Sequence, residues 1–163
     1  MVNIELVQGD GLELPFQSSK FDIVINRLAD YSLADVHRIL KKGGYFIEYG
    51  LGPDSDREIV EFFPDRCEEE NFFFPEDPNN WKKEVTEKIN ELAFCNIKIE
   101  DYKCKDYYKD KEEIMDLIEM VPLLKDFNRE KDSEKINKLV EKYTEEQGIA
   151  ITWHYYILEA MKR

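Results

Sequence analysis

Three apolar runs near the start of the chain each lead into a polar or glycine-bearing segment. Ile4, Leu6 and Val7 run into Gly9, Asp10 and Gly11, and Phe21, Ile23, Val24 and Ile25 run into Asn26 and Arg27. The first run predicts a short strand over 4–7 and the second a buried strand over 21–26, the pattern of strands feeding ligand-facing loops. Between them, Leu12 to Ser19 reads as a loop around Pro15. Leu33, Val36, His37 and Leu40 fall at i, i+3, i+4 and i+7, which predicts a helix over 33–42 capped by Gly43. Gly43-Gly44 then leads into a third strand, Tyr45 to Tyr49, broken by Gly50 and Gly52-Pro53.

Later residues continue the alternation. A helix over 54–63 is opened by Asp54 or Ser55. Aromatic clusters at Phe62-Phe63 and Phe72-Phe73-Phe74 flank the acidic Glu68-Glu69-Glu70. Trp81, Val85, Ile89 and Leu92 form one apolar stripe, so 81–94 reads as a helix. A strand over 96–102, helices over 111–120 and 133–147, and a closing strand over 149–161 complete the pattern. Such an order implies an α/β fold with a largely parallel sheet. The length of 163 residues suits a single domain with a real core.

Charge narrows the partners. The formal net charge is −13, so nothing offsets repulsion from a phosphate backbone, and nucleic acid is not expected as a partner. No apolar run reaches the ~18 residues a membrane helix needs, and no signal-peptide pattern opens the chain, so the expected location is cytoplasmic. Cys67, Cys95 and Cys104 are odd in number and lack the paired spacing of a zinc site; they read as reduced, mostly buried thiols. No metal site is expected, and there is no phosphate-binding lysine loop, zinc-protease motif or Ser-His-Asp arrangement.

Four segments, in this order, resemble the middle of a class I S-adenosylmethionine-dependent methyltransferase of the small-molecule type. They are Gly9-Asp10-Gly11, Leu14-Pro15-Phe16, Lys20-Phe21-Asp22-Ile23-Val24 and Arg38-Ile39-Leu40-Lys41-Lys42-Gly43-Gly44. The helix before Ala93-Phe94, and the tail with Thr152, His154 and Ile157-Leu158, extend the resemblance along nearly the whole chain. It implies a Rossmann-like sheet whose strands correspond to the family's third through seventh, mostly parallel with an antiparallel C-terminal strand. It also implies S-adenosylmethionine as cofactor and methyl transfer to a small-molecule acceptor. On this resemblance Asp10 accepts from the adenine amino group, the backbone near Gly11 or Leu12 donates to a ring nitrogen, and Leu12 packs on the ring. Asn26 and Arg27 hold the amino-acid end. Tyr49 and His154 are candidate substrate residues, and the two aromatic clusters are a candidate lid over an apolar substrate. Plainer readings stand beside these. Asp10 suits a turn cap, Arg27 an ion pair with Asp30 or Asp35, and His154 a satisfied core histidine.

The family's glycine-rich loop has no counterpart, because the only glycines before residue 43 are Gly9 and Gly11. The expectation is therefore an N-terminally truncated, partial methyltransferase domain over 1–163. The strand at 21–26 would then be an apolar sheet edge, which invites association. It should be covered by the 4–7 strand, by a second copy in a homodimer, or by a separate N-terminal half. A second reading is a non-catalytic acidic α/β interaction module, a remnant that lost the cofactor loop. A nicotinamide-dependent oxidoreductase is weaker, because it too needs the absent glycine fingerprint.

Overall fold

A computed structural model of the chain describes residues 4–67, 80–121 and 123–163. The elements are β1 (Phe21–Arg27), α1 (Leu33–Ile39), β2 (Leu40–Leu51), α2 (Arg57–Phe62), α3 (Trp81–Glu91), β3 (Phe94–Tyr108), α4 (Lys111–Met120), α5 (Ser133–Tyr143), β4 (Thr144–Glu145) and β5 (Gly148–Lys162). Five strands form one sheet in the order β1-β2-β5-β3, with β4 paired to β5. The β1–β2 pair is parallel, in a register that sets Asn26 opposite Glu48 and Arg27 opposite Tyr49. Numbering rises along β2 as it falls along β5, since Gly50 faces Tyr156 and Gly52 faces His154. The C-terminal strand is therefore antiparallel, as expected, and inserted between β2 and β3. The sheet is mixed rather than mostly parallel.

Residues 4–7 do not form the expected strand. They carry no regular secondary structure and no ladder partner among the described residues, and Leu6 is 93% exposed. A run of four residues gains strand geometry only from a neighbour's hydrogen bonds, and none is offered here. Among the described residues β1 consequently pairs with β2 alone.

The helix expected over 33–42 ends at Ile39. Leu40 is its C-cap, with extended backbone, so Gly43 is not the stop. Gly43, at φ 75°, instead sits within β2, where the register shifts between Phe21 and Ile23. A Cβ on Gly44 would come within 2.9 Å of the Asp22 carbonyl oxygen, so β1 and β2 approach closely there. The predicted helix over 54–63 starts at Arg57 with Asp56 as N-cap. The helix over 133–147 ends at Tyr143, where Thr144 turns into β4. The strand expected over 96–102 extends to Phe94–Tyr108, because a paired neighbour propagates the ladder through polar residues, while the closing strand keeps nearly its expected bounds.

The chain divides into two compact units. One comprises residues 1–50, 82–100 and 156–163; the other comprises 51–81 and 101–155. In the first, α1 buries Val36 and Ile39, and Phe46 is fully enclosed, with the Tyr31 and Phe94 rings 5.3 and 6.4 Å away. Arg38 ties the preceding loop to α1, donating to the carbonyls of Leu14 and Phe16 and pairing with Asp35. In the second unit, Ile59 and Phe63 of the α2 region pack with Ile114, Leu117 and Ile118 of α4, Ile136 and Leu139 of α5, and Ile149 and Ile151 of β5.

Phe62 and Phe63 belong to that core, Phe62 lying edge-on to Tyr143. Half of the expected lid is therefore packing, and the Phe72–Phe74 half lies outside the described residues. The cysteines are free: Cys67 and Cys95 are half-buried, and Cys104 is exposed rather than buried.

Candidate functional site

Ligands of open α/β sheets sit beyond the carboxyl ends of parallel strands. In this chain that position is the end of the β1–β2 pair, and four of its elements come from the first unit. The turn at 9–12 is held by Asp10, whose Oδ1 accepts from the Leu12 N–H at 2.9 Å. Gly11 meets the loop after β1: its carbonyl accepts from the Ser32 N–H at 3.1 Å, and a Cβ on it would overlap the Asp30 carbonyl. A glycine is required there for steric reasons. At the end of β1, Asn26 Nδ2 donates to the Ala29 carbonyl at 3.0 Å, and Leu28 turns the chain at φ 50° with its N–H on the Tyr49 carbonyl. The Arg27 guanidinium lies 5.7 Å from the Tyr49 ring centre, a cation–π distance. Asp35 is taken by Arg38 rather than Arg27.

Asp10, Gly11, Asn26, Arg27 and Tyr49 are thus joined through one turn, one loop and two strand ends. The fit to a cofactor of adenine type is uneven. Asp10 and the Leu12 side chain are exposed and suit the edge and face of a flat ring. The Leu12 N–H, expected to donate to that ring, is already used by Asp10, and the Asn26 amide is used by its own turn. The residues present suit the adenine end best.

His154 belongs to the second unit and is closed. It is 1% exposed; Nε2 lies 2.9 Å from Asp101 Oδ2, and Nδ1 accepts from the Asp54 N–H at 3.2 Å. Trp81 stands edge-on at 5.6 Å, and a Cβ on Gly52 would come within 2.5 Å of the imidazole. Both ring nitrogens are engaged, so the imidazole holds the Asp54 turn to β3 and offers no base to a ligand.

Sequence reasoning missed Glu48. It is 7% exposed on β2, accepts from Tyr31 Oη at 2.8 Å and is also hydrogen-bonded to Tyr156. Burial lifts its carboxyl above the ordinary glutamate range, and the two phenols oppose that shift. Burial also pushes both tyrosine hydroxyls far above their usual value, so they stay protonated donors. Only the alternation of β2, which places Glu48 on the face of Phe46, could have flagged it.

An apolar hollow of about 480 Å³, lined by Leu6, Val7, Phe16 and Phe21 with Glu5 and Lys20, lies at the opposite, starting end of β1. Among the described residues no group of acidic, histidine or cysteine side chains is arranged to hold a metal ion.

Residues 1–47 match the methyltransferase domain family. That match, under a third of the chain, ties the N-terminal segment in sequence to methyltransferase domains. It is 43% identical to a demethylmenaquinone methyltransferase of Staphylococcus carnosus over 27% of this chain and 21% of that protein. It is 37% identical to a probable phthiotriol/phenolphthiotriol dimycocerosates methyltransferase of Mycobacterium ulcerans over 36% of this chain and 25% of that protein. The matched region thus spans about a fifth to a quarter of these relatives. Among solved structures, a candidate methyltransferase of Bacillus halodurans matches with a TM-score of 0.59 at 16% identity, over 98% of this chain and 78% of that one. The YcgJ protein of Bacillus subtilis matches with a TM-score of 0.55 at 17% identity, over 96% and 70%. At such identity these neighbours share the methyltransferase-type fold. The relatedness in sequence lies in the segment that carries the 9–12 turn, β1, α1 and the start of β2.

Proposed function

We propose that this chain is a methyltransferase domain that takes S-adenosylmethionine at the carboxyl ends of β1 and β2 and transfers its methyl group to a small-molecule acceptor. The observation that carries the reading is the packing of the Asp10-Gly11 turn against the loop after β1, beside a parallel strand end, within the segment related to methyltransferases. Asp10 accepts from the adenine amino group, Leu12 covers the ring, and Gly11 keeps the turn close to the 30–32 loop. Asn26 and Arg27 flank the amino-acid end, with Arg27 steadied on Tyr49, which walls the acceptor side. His154 serves the frame rather than the substrate. The bound cofactor supplies an already activated methyl group, so the chain's task is alignment.

The unpaired side of β1 requires a neighbour. Ile23 and Ile25 are 55% and 70% exposed on a strand that has no second ladder partner among the described residues. A further polypeptide laid against β1 covers them and completes the cofactor site, in the cytoplasm. Calorimetric titration of the full chain with S-adenosylhomocysteine tests the reading. Micromolar binding that Asp10→Ala abolishes supports it. No heat at millimolar ligand favours a non-catalytic module that uses the same β1 edge for association.

A further inference from the structure

A buried carboxylate is costly unless its oxygens are hydrogen-bonded. Glu48 is satisfied by two phenols, an arrangement that the chain shapes itself to reach. Tyr156 approaches over Gly50, where a Cβ would lie 2.5 Å from the tyrosine ring. Tyr31 is carried by the loop that packs on Gly11, its Cα within 3.8 Å of a Cβ built there, and its ring rests on Phe46. Glu48 and Tyr156 are buried, and Tyr31 is half-buried, the least enclosed residue of the three. Its hydroxyl hydrogen is directed at Glu48 Oε2, which leaves the oxygen lone pairs to accept. The trio stands beside Asn26, at the same strand ends as the proposed cofactor turn.

We infer that Tyr31 and Glu48 form the acceptor-side polar group of this site. Tyr31 Oη accepts a hydrogen bond from the N–H or O–H group to be methylated, and Glu48 receives the proton released. The inference rests on the methyl-transfer reading and adds to it the class of acceptor, a small molecule carrying a proton on the reacting nitrogen or oxygen. In the transfer, the sulfonium carbon–sulfur bond breaks with its electron pair left on sulfur, and the heteroatom–carbon bond forms. The heteroatom's proton passes to Tyr31 Oη as the tyrosine's own proton moves to Glu48, which later returns it to water. Tyr31 contacts the acceptor. Glu48 acts through it, and Tyr156 fixes the carboxylate.

The test uses the full chain labelled with ¹³Cζ-tyrosine and followed by NMR, with phenol and propylamine as probes of the two donor classes. Each probe concentration series is recorded with and without S-adenosylhomocysteine. The Tyr31 signal should move with one probe, and Tyr31→Phe, in the least buried of the three residues, should weaken that probe about tenfold, the worth of one good hydrogen bond. Without probe, the Tyr31 and Tyr156 signals should titrate together through a single midpoint above the usual glutamate range. Glu48→Gln, its fold checked by circular dichroism, should abolish that step. Probe shifts confined to other tyrosines, or Tyr31 and Tyr156 signals that do not titrate together, would overturn the inference. Probe binding at Tyr31 without any S-adenosylhomocysteine binding would instead count against the methyl-transfer reading itself.

Discussion

At the scale of single residues, the most unusual group is Asp56. It is fully buried, both carboxylate oxygens lack a hydrogen-bond partner, and its backbone is left-handed at φ 54°. Burial, with the adjacent Glu58 carboxylate adding to it, raises its pKa from 3.8 to about 7. The unfolded chain releases this proton near the ordinary value, whereas the folded chain holds it to about 7. Asp56 therefore carries no ionisation penalty below about pH 4, and that penalty grows as pH rises from there to about 7. Three pKa units correspond to about 4 kcal/mol. Asp56→Asn removes the charge and tolerates the left-handed backbone. It should stabilise the chain by about 2–4 kcal/mol at pH 8 and by far less at pH 4. Urea melts at the two pH values check this, and an equal effect at both would contradict it. Glu58, by contrast, is buried and satisfied, accepting from the Thr152 N–H and hydroxyl.

At the scale of elements, β1 is where sequence and surroundings disagree. Its apolar residues read as a strand buried on both sides, yet Ile23 and Ile25 face solvent. Replacing both with lysine removes exposed apolar surface and no enclosed contact. Ile23→Lys/Ile25→Lys should change folding stability by no more than about 0.5 kcal/mol, while lowering self-association at high concentration. Urea melts and light scattering measure the two effects. A large loss of stability would mean that these side chains are covered.

The strands and helices that could be read from sequence, β1, α3, α4 and the core of β5, carry their own periodicity. Residues 4–7 could not be, because strand geometry there depends on a partner. The stop of α1 is not legible from Gly43, because Leu40 leaves the helix to start β2 before the glycines arrive. The Asp10–Leu12 turn was visible as a motif. The Tyr31–Glu48 contact was not, since it depends on a parallel register across 17 residues of sequence. His154 was visible as a rare residue, but its enclosure comes from Asp101 and Asp54, 53 and 100 residues away.

At the scale of the whole molecule, charge and fold point to different surfaces. The net charge of −13 opposes the approach of polyanions. The proposed site depends on local groups, Asp10, Arg27, Tyr31 and Glu48. No helix among the described residues is long and apolar enough to cross a membrane. The proposed function places the cofactor in the crevice at the ends of β1 and β2. Ultraviolet cross-linking of radiolabelled S-adenosylmethionine to the full chain, followed by peptide mapping, tests it most directly. Label should fall on the peptides containing residues 10–12 and 26–31 and be displaced by S-adenosylhomocysteine. Label on residues 101–155 alone, or label that S-adenosylhomocysteine does not displace, would contradict it.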